Sequence, residues 1–221
     1  MHYIQAHILD KLVYANYLRN RDMRPPNVES NLYQYHLLQL QKEGFVDKTE
    51  HGYCLSARGL AYADRHSTAL KKTRSQPKLI TVLFVVNDKG HILLRPKQRQ
   101  PFKETLSLPS GKIHLDETIF EAAQREFREK VNDHFIINNL EHIGTAHFTI
   151  RQDEFVISDY IALLITVRVT DIDVSEIASF YDIDTLLTAN NLTPGVAELL
   201  HAYRTNAVFS EATIDMPTSD A

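Results

Sequence analysis

The 221-residue sequence predicts an α+β fold in two unequal parts: a small helical unit carrying a β-hairpin, then a mixed sheet covered by a few helices. Three observations carry this expectation. Helical periodicity dominates up to about residue 65, whereas Val-, Ile- and Thr-rich runs dominate from residue 78 onwards. The charge changes sign at the same place. Residues 1–75 hold 11 Lys/Arg against 7 Asp/Glu, while the remainder holds 13 against 21, and the whole chain comes to −4. Between the parts, "LKKTRSQPK" (70–78) is polar, basic and ends near a proline, which suits a linker. The expected domains are therefore 1–75 and 76–206. Residues 207–221 are expected to form a flexible tail, because "FSEATIDMPTSDA" has little apolar content.

In the first part, Ile4, Ile8, Leu9, Leu12, Val13 and Leu18 recur at helical spacing and predict a first helix of about four turns by the usual pitch. "RPPNVES" breaks it. A second helix is expected from about Ser30 to Glu43, with Tyr33, Leu37 and Leu40 on one face and Gly44 as its stop. "FVDKTEHGYCLS" reads as a hairpin turning on a glycine, and "SARGLAYADR" as a short closing helix. In the second part, "KLITVLFVVND" and "HILLRPK" flank "DKG" as a hairpin, and "HIGTAHFTI" and "EFVISDYIALLITVRV" read as further strands. "TPGVAELLHAYR" places Pro and Gly ahead of a helical pattern, so a terminal helix is expected there.

Composition narrows the function classes. No apolar run approaches the roughly 18 residues that would cross a bilayer. The amphipathic N-terminus lacks a small-residue cleavage site, so it does not read as a signal peptide. The single cysteine, Cys54, permits no internal disulfide; it is expected as a buried strand residue, in a protein of the cytoplasm. Eleven histidines are scattered, and His114, His134, His142 and His147 form no i,i+4 ligand pair.

The chemistry concentrates in "PSGKIHLDETIFEAAQREFREKVND" (109–133). Thr118 and Glu121 form a T-x-x-E capping box, so a helix should begin there. Ile119, Ala123, Phe127 and Val131 make an apolar stripe, with Arg125, Glu126 and Glu129 off it. Glu126 and Glu129, three apart, project to one side. Glu117 precedes the helix, and Gly111 allows a tight loop into it. Carboxylates gathered in this way call for a cation, and hard oxygen donors favour Mg2+ or Mn2+. The same residues also suit a solvated amphipathic helix, with Arg125 paired to Glu121 or Glu129 and Glu126 paired to Lys130. Spacing alone leaves both readings open.

The stretch resembles the Nudix box, G-x5-E-x7-R-E-U-x-E-E-x-G-U, with U a bulky apolar residue. Gly111, Glu117, Arg125, Glu126, Phe127 and Glu129 match at the required intervals, and "LSLPSGK" resembles the loop leading into the box. The resemblance covers about 77–205 and implies an α/β/α sandwich that cleaves the pyrophosphate of a nucleoside diphosphate derivative with Mg2+. By position it implies Arg125, Glu126 and Glu129 as catalytic, with Glu126 and Glu129 binding metal and Arg125 orienting the glutamates. It implies Glu117 as support for the loop, and Gly111, Lys112 and Arg95 as substrate-binding. Arg95, Lys97 and Arg99 in "RPKQRQPFK" suit phosphates or a solvated loop equally, and a remote acid is left open between Asp153, Glu154 and others.

Two residues depart from the box. Asn132 replaces a glycine and still tolerates a left-handed turn. Lys130 replaces a metal-binding glutamate, so it either turns aside and leaves a weakened Mg2+ site or takes the cation's place. The sequence favours the weakened but working site.

The order helix, turn, helix, hairpin, helix in residues 1–65 resembles bacterial winged helix-turn-helix regulators. That resemblance implies duplex DNA as a partner, with Asn31, Gln34 and Tyr35 facing a major groove and Lys48 and His51 near the wing. A docking or dimerisation element, and hence a homodimer, is the alternative. At the level of function, the alternative to the hydrolase is a nucleotide-sensing regulator with a weak or inactive Nudix domain. Nudix-related repressors with a winged helix resemble it, with the two domains in the opposite order.

Overall fold

The computed structural model describes the chain except residues 68–71, 74, 75, 135, 136, 171, 175, 176 and 218–221. Residues 70, 71, 74 and 75 of the expected linker therefore lie outside the described residues. Among those described, no helix is long and apolar enough to cross a membrane.

The N-terminal unit follows its periodicity closely. Helix α1 (Tyr3–Val13) buries Ile4, Ile8, Leu9, Leu12 and Val13 against Tyr33, Leu37 and Leu40 of α2 (Ser30–Lys42). His2 caps α1 through a capping box with Gln5. Helix α1 is shorter than expected, because Leu18 leaves it and exchanges two backbone hydrogen bonds of 2.9 Å with Tyr53. A 3-10 turn at Asn20–Asp22 precedes α2, which stops at Gly44 with φ of 72°. Strands β1 (Val46–Thr49) and β2 (Gly52–Leu55) form the antiparallel hairpin, and α3 (Ala57–Arg65) closes the unit. Cys54 lies on β2 and is only half-buried, since Tyr53 and Leu55 take the inward face. Short strands β3 (His66–Ser67) and β4 (Lys72–Thr73) pair beyond α3.

The second unit is a three-layer sandwich. Its sheet contains β5 (Lys78–Val86), β6 (Ile92–Pro96), β7 (Leu106–Ser107), β8 (Ser110–Lys112), β9 (Glu141–Gln152), β10 (Phe155–Arg168), β11 (Ser179–Tyr181) and β12 (Phe209–Asp215). The main order is β11-β6-β5-β10-β9-β12, with β7 on β6 and β8 on β5. Period-2 alternation along β5 feeds both faces. Leu83 and Val85 pack on Ala123, Phe127 and Val131 of helix α4 (Ile119–Lys130) and its C-cap. Val82, Phe84 and Val86 pack on Leu186 of α5 (Ile183–Leu187) and on Val196, Leu199 and Leu200 of α6 (Val196–Arg204).

Two further expectations need correcting. Residues 207–221 are not simply a loose tail: β12 pairs in parallel with β9, Phe209 opposite Thr145 through Asp215 opposite Arg151. Its low apolar content misleads because an edge strand needs only one inward face, here Ser210, Ala212 and Ile214. The stripe on α4 is also turned from its expected setting. Solvent reaches Ile119 and Phe120, while Ala122 and Glu126 join the buried side.

The two units meet across α3. Ala61 packs with Phe102, Ile150 and Ile157, and half-buried Leu60, Phe155 and Ile214 surround them. Asp64 of α3 pairs with Lys78 at the start of β5, and Ser158 hydrogen-bonds to both. The backbone N–H of Gln100 donates to the Val13 carbonyl at 2.9 Å, and its side chain reaches Asn16.

Candidate functional site

The site is built by α4 and the strand before it. Thr118 caps α4, its hydroxyl accepting from the Glu121 N–H while the Glu121 carboxylate accepts from the Thr118 N–H. This fixes the start of the helix and places Arg125, Glu126, Glu129 and Lys130 beside β8. Gly111 lies on β8 opposite Thr81 of β5. A Cβ there would stand 1.8 Å from Oε1 and 2.2 Å from Oε2 of Glu126. Gly111 is thus glycine because a carboxylate lies flush against its Cα. The tight loop expected from sequence is not what demands it.

Arg125 organises the loop. Its Nε and Nη2 donate to Glu117 at 2.8 and 3.0 Å, and Nη2 also donates to the Lys112 carbonyl at 2.8 Å. Its Nη1 donates to Glu126 at 2.5 Å and lies 3.5 Å from Glu129. The guanidinium, together with the His114 N–H, holds the Glu117 carboxyl down at about 2. The carboxylates in turn raise Arg125 above its already high value.

Glu126 is the buried carboxylate of the cluster, only 4% exposed. Three cations serve it. Arg125 bonds one oxygen, and the Lys130 ammonium lies 2.5 Å from Oε2, without hydrogen-bond alignment to that atom. Arg95 of β6 feels Glu126 electrostatically while burial pulls its own pKa down, and its Nε is buried with no hydrogen-bond partner among the described residues. Lys130 also donates to the Ser110 carbonyl on β8. Its ammonium therefore spans a buried carboxylate and a backbone carbonyl, the two oxygen types that a hard cation takes. Asn132, the other departure from the box, donates to the Asp173 carbonyl at 2.7 Å.

These residues do not fit a divalent ion. Glu126 is spent on cations, the Ser110 carbonyl is engaged, and Glu129 is half exposed at the rim. Among the described residues, no three His, Cys, Asp or Glu side chains gather as a metal site. A further divalent cation would be repelled by Arg125, Lys130 and Arg95 together.

A cavity of about 400 Å³ opens beside Gly111. Among the described residues, Lys78, Arg95, Lys97, Arg99, Lys112 and Lys130 contribute to its wall, against the single carboxylate Asp64. Tyr160, Phe102, Ile80 and Leu108 supply an apolar part. Lys97 is drawn down to about 8, first by lost hydration and then by Lys78, Arg99 and Lys130, with Asp64 opposing. Arg95, Lys97, Gly111 and Lys112 thus come together around one cavity, with Glu126 behind Gly111. Asp153 and Glu154 lie at the β9–β10 turn and are not in its wall. Sequence reading missed Asp64, Lys78, Ser158 and Tyr160, which reach the cavity only through the pairing of β5 with β10 and the docking of α3. On α2, Asn31 and Tyr35 are exposed, whereas Gln34 is half-buried and accepts from Asn20 at 3.3 Å.

Residues 77–203, more than half of the chain, match the family model described as NUDIX domain. A MutT protein from Methanosarcina mazei Go1 aligns with a TM-score of 0.49 at 21% identity, over 61% of this chain and 99% of that one. The NUDIX domain of Shewanella oneidensis NrtR, complexed with ADP ribose, gives 0.50 at 14% identity, over 65% and 95%. A MutT protein from Bacillus halodurans gives 0.49 at 18%, over 65% and 92%. No curated protein matches the chain. At these identities the structural likeness concerns the fold alone.

Proposed function

We propose, from the premise that this chain belongs to the Nudix family, that it senses a nucleoside diphosphate derivative rather than turning it over rapidly. The N-terminal unit then serves as a winged helix that carries the signal to duplex DNA. One observation carries the reading: the Lys130 ammonium stands between the Glu126 carboxylate and the Ser110 carbonyl, as a cation belonging to the chain itself. A fixed ammonium attracts phosphate oxygens yet neither polarises them as strongly as a divalent ion nor lowers the pKa of bound water. The cation-rich cavity and its apolar wall suit a diphosphate joined to an organic moiety.

For the N-terminal unit, support comes from the element order and from Leu18, which bridges to Tyr53 of β2 beside the hairpin. Asn31 and Tyr35 reach solvent on α2, as a groove-facing helix requires. Leu32 and Leu38 are exposed on the same helix, and that favours a second reading in which this face docks another protein. The hydrolase reading keeps one point in its favour, the retained and half-exposed Glu129.

One experiment separates these readings. The intact chain is incubated with a genomic fragment library at two salt concentrations, with and without nucleotides, in EDTA and again in Mg2+ or Mn2+. ADP ribose, the ligand complexed with the NrtR domain, belongs in the panel. Expected are a preferred fragment, affinity that falls with salt, and a shift caused by a nucleotide in EDTA. Mg2+-dependent turnover of the panel, with no preferred fragment, would overturn the regulator in favour of the hydrolase.

A further inference from the structure

The cavity does not end at Gly111. It runs to the boundary between the two units, where its wall changes character. Asp64 of α3 lies there, 7% exposed, paired with Lys78, and Ser158 donates to it at 3.2 Å. Lys78 donates to Ser158 at 2.8 Å and stands 5.8 Å from the centre of the Tyr160 ring. Lys97 reaches this end through Phe102, which packs with Ala61 of α3 and with Tyr160, the ring that Lys78 approaches. The Phe102 ring lies 5.2 Å from the Lys97 ammonium.

Charge decides what such a place can hold. Among the described residues, six cationic side chains contribute to the wall, against Asp64 in the wall and Glu126 behind Gly111. A diphosphate diester brings only two negative charges, so it leaves positive charge over. Lys97 and Lys78 both contribute to the wall at this end, and Lys78 adds to lost hydration in drawing the Lys97 ammonium down. Like charges held together away from bulk water are relieved by a bridging anion.

We propose that the α3 end of the cavity is a second anion subsite, in which Lys97 and Lys78 take a further phosphate group of the ligand. The ligand is then a nucleotide derivative bearing a phosphate beyond its diphosphate. This rests on the reading of the cavity as the nucleotide site, but it depends on different residues. Because Lys78 already serves Asp64, the incoming phosphate competes with α3 for the same ammonium. Occupancy of the subsite therefore loosens the Asp64–Lys78 link between the two units.

The test is calorimetric titration of the full chain with inorganic phosphate in EDTA, at a pH below 8 so that Lys97 is charged. Two phosphates per chain are expected. Lys97→Met should remove one of them, Lys97→Arg should keep it, and Lys130→Met should remove only the other. Asp64→Asn frees Lys78 and should tighten the Lys97-dependent site roughly tenfold, the order expected for a charged hydrogen bond no longer shared. If Asp64→Asn does not fold, the Lys97→Met and Lys97→Arg pair decides. A single phosphate per chain that Lys97→Met leaves in place overturns the inference, as does weaker binding in folded Asp64→Asn. A site lost with Lys97→Met and unmoved by Lys130→Met would leave this inference standing and remove the role given to Lys130.

Discussion

Replacing Lys130 by Glu restores the family's box and tests whether the ammonium is the cation of the site. In the native protein Nζ lies 2.5 Å from Glu126 Oε2, with the lysine side chain 27% exposed and the glutamate 5%. At about 4 Å and an effective dielectric near 20, one unit-charge pair is worth on the order of 4 kcal/mol. The substitution removes such an attraction and adds a repulsion. Rotation of the new carboxylate towards solvent and the remaining pull of Arg125 and Arg95 offset much of this. A net destabilisation of roughly 2–4 kcal/mol follows, in line with the cost of breaking a buried pair on one side. The new carboxylate and Glu126 would then attract a divalent ion, and Mg2+ at about 100 times its dissociation constant would return about 2.7 kcal/mol. Urea unfolding of both proteins, in EDTA and in Mg2+, measures this. The native chain should be indifferent to Mg2+, whereas the variant should be weak in EDTA and recover in Mg2+. A variant as stable as the native chain in EDTA would refute the placement of Lys130, and so would a native chain that Mg2+ stabilises.

Two further outcomes follow from the same cluster. Gly111→Ala puts a Cβ within 1.8 Å of Glu126 Oε1 and must push that carboxylate off Arg125 and Lys130. A loss of about 1–3 kcal/mol is expected in the unfolding midpoint, the usual range for overpacking, and a change below about 0.5 kcal/mol would refute the close approach. Glu117 is held near 2, below its ordinary 4.5, so its stabilising contribution is present above pH 4.5 and lost as pH falls through 2. Glu117→Gln should therefore narrow its stability gap to the native chain as pH drops from 5 to 2, and a gap that stays constant across that range would refute the Arg125–Glu117 link.

Much of this was legible in the sequence because it is local. The capping box Thr118/Glu121, the stop at Gly44 and the α1 core positions are written in side chains within a few residues of one another. The spacing also brought Arg125, Glu126, Glu129 and Lys130 together, since one helix carries all four. What was illegible depends on distant pairing. Tyr160 stands opposite Lys78 only because β10 runs parallel to β5, and Asp64 arrives only because α3 docks on the sheet. Nor does "FSEATID" announce an edge strand, because parallel pairing to β9 asks for alternation rather than apolar content. The turned setting of α4 has the same origin. Sequence spacing shows that a helix has two faces, but the sheet decides which side is covered, and here it covers Glu126.

The contact between the units carries a consequence for how the two ends of the chain communicate. Its apolar part, Ala61 against Phe102, Ile150 and Ile157, is indifferent to charge and holds α3 near the sheet in any ligand state. The Asp64–Lys78 pair adds little net stability beside it, because both groups lose hydration in forming it. It ties α3 to the start of β5 by a contact that another anion can take over. A ligand phosphate on Lys78 therefore leaves the apolar contact in place and releases only that tie. The coupling is bounded by the difference in ligand affinity between the two arrangements, commonly 1–3 kcal/mol. Linkage makes it reciprocal. A partner, nucleic acid or protein, that holds α3 in its Asp64-paired position must weaken phosphate binding by the same factor by which phosphate weakens that partner.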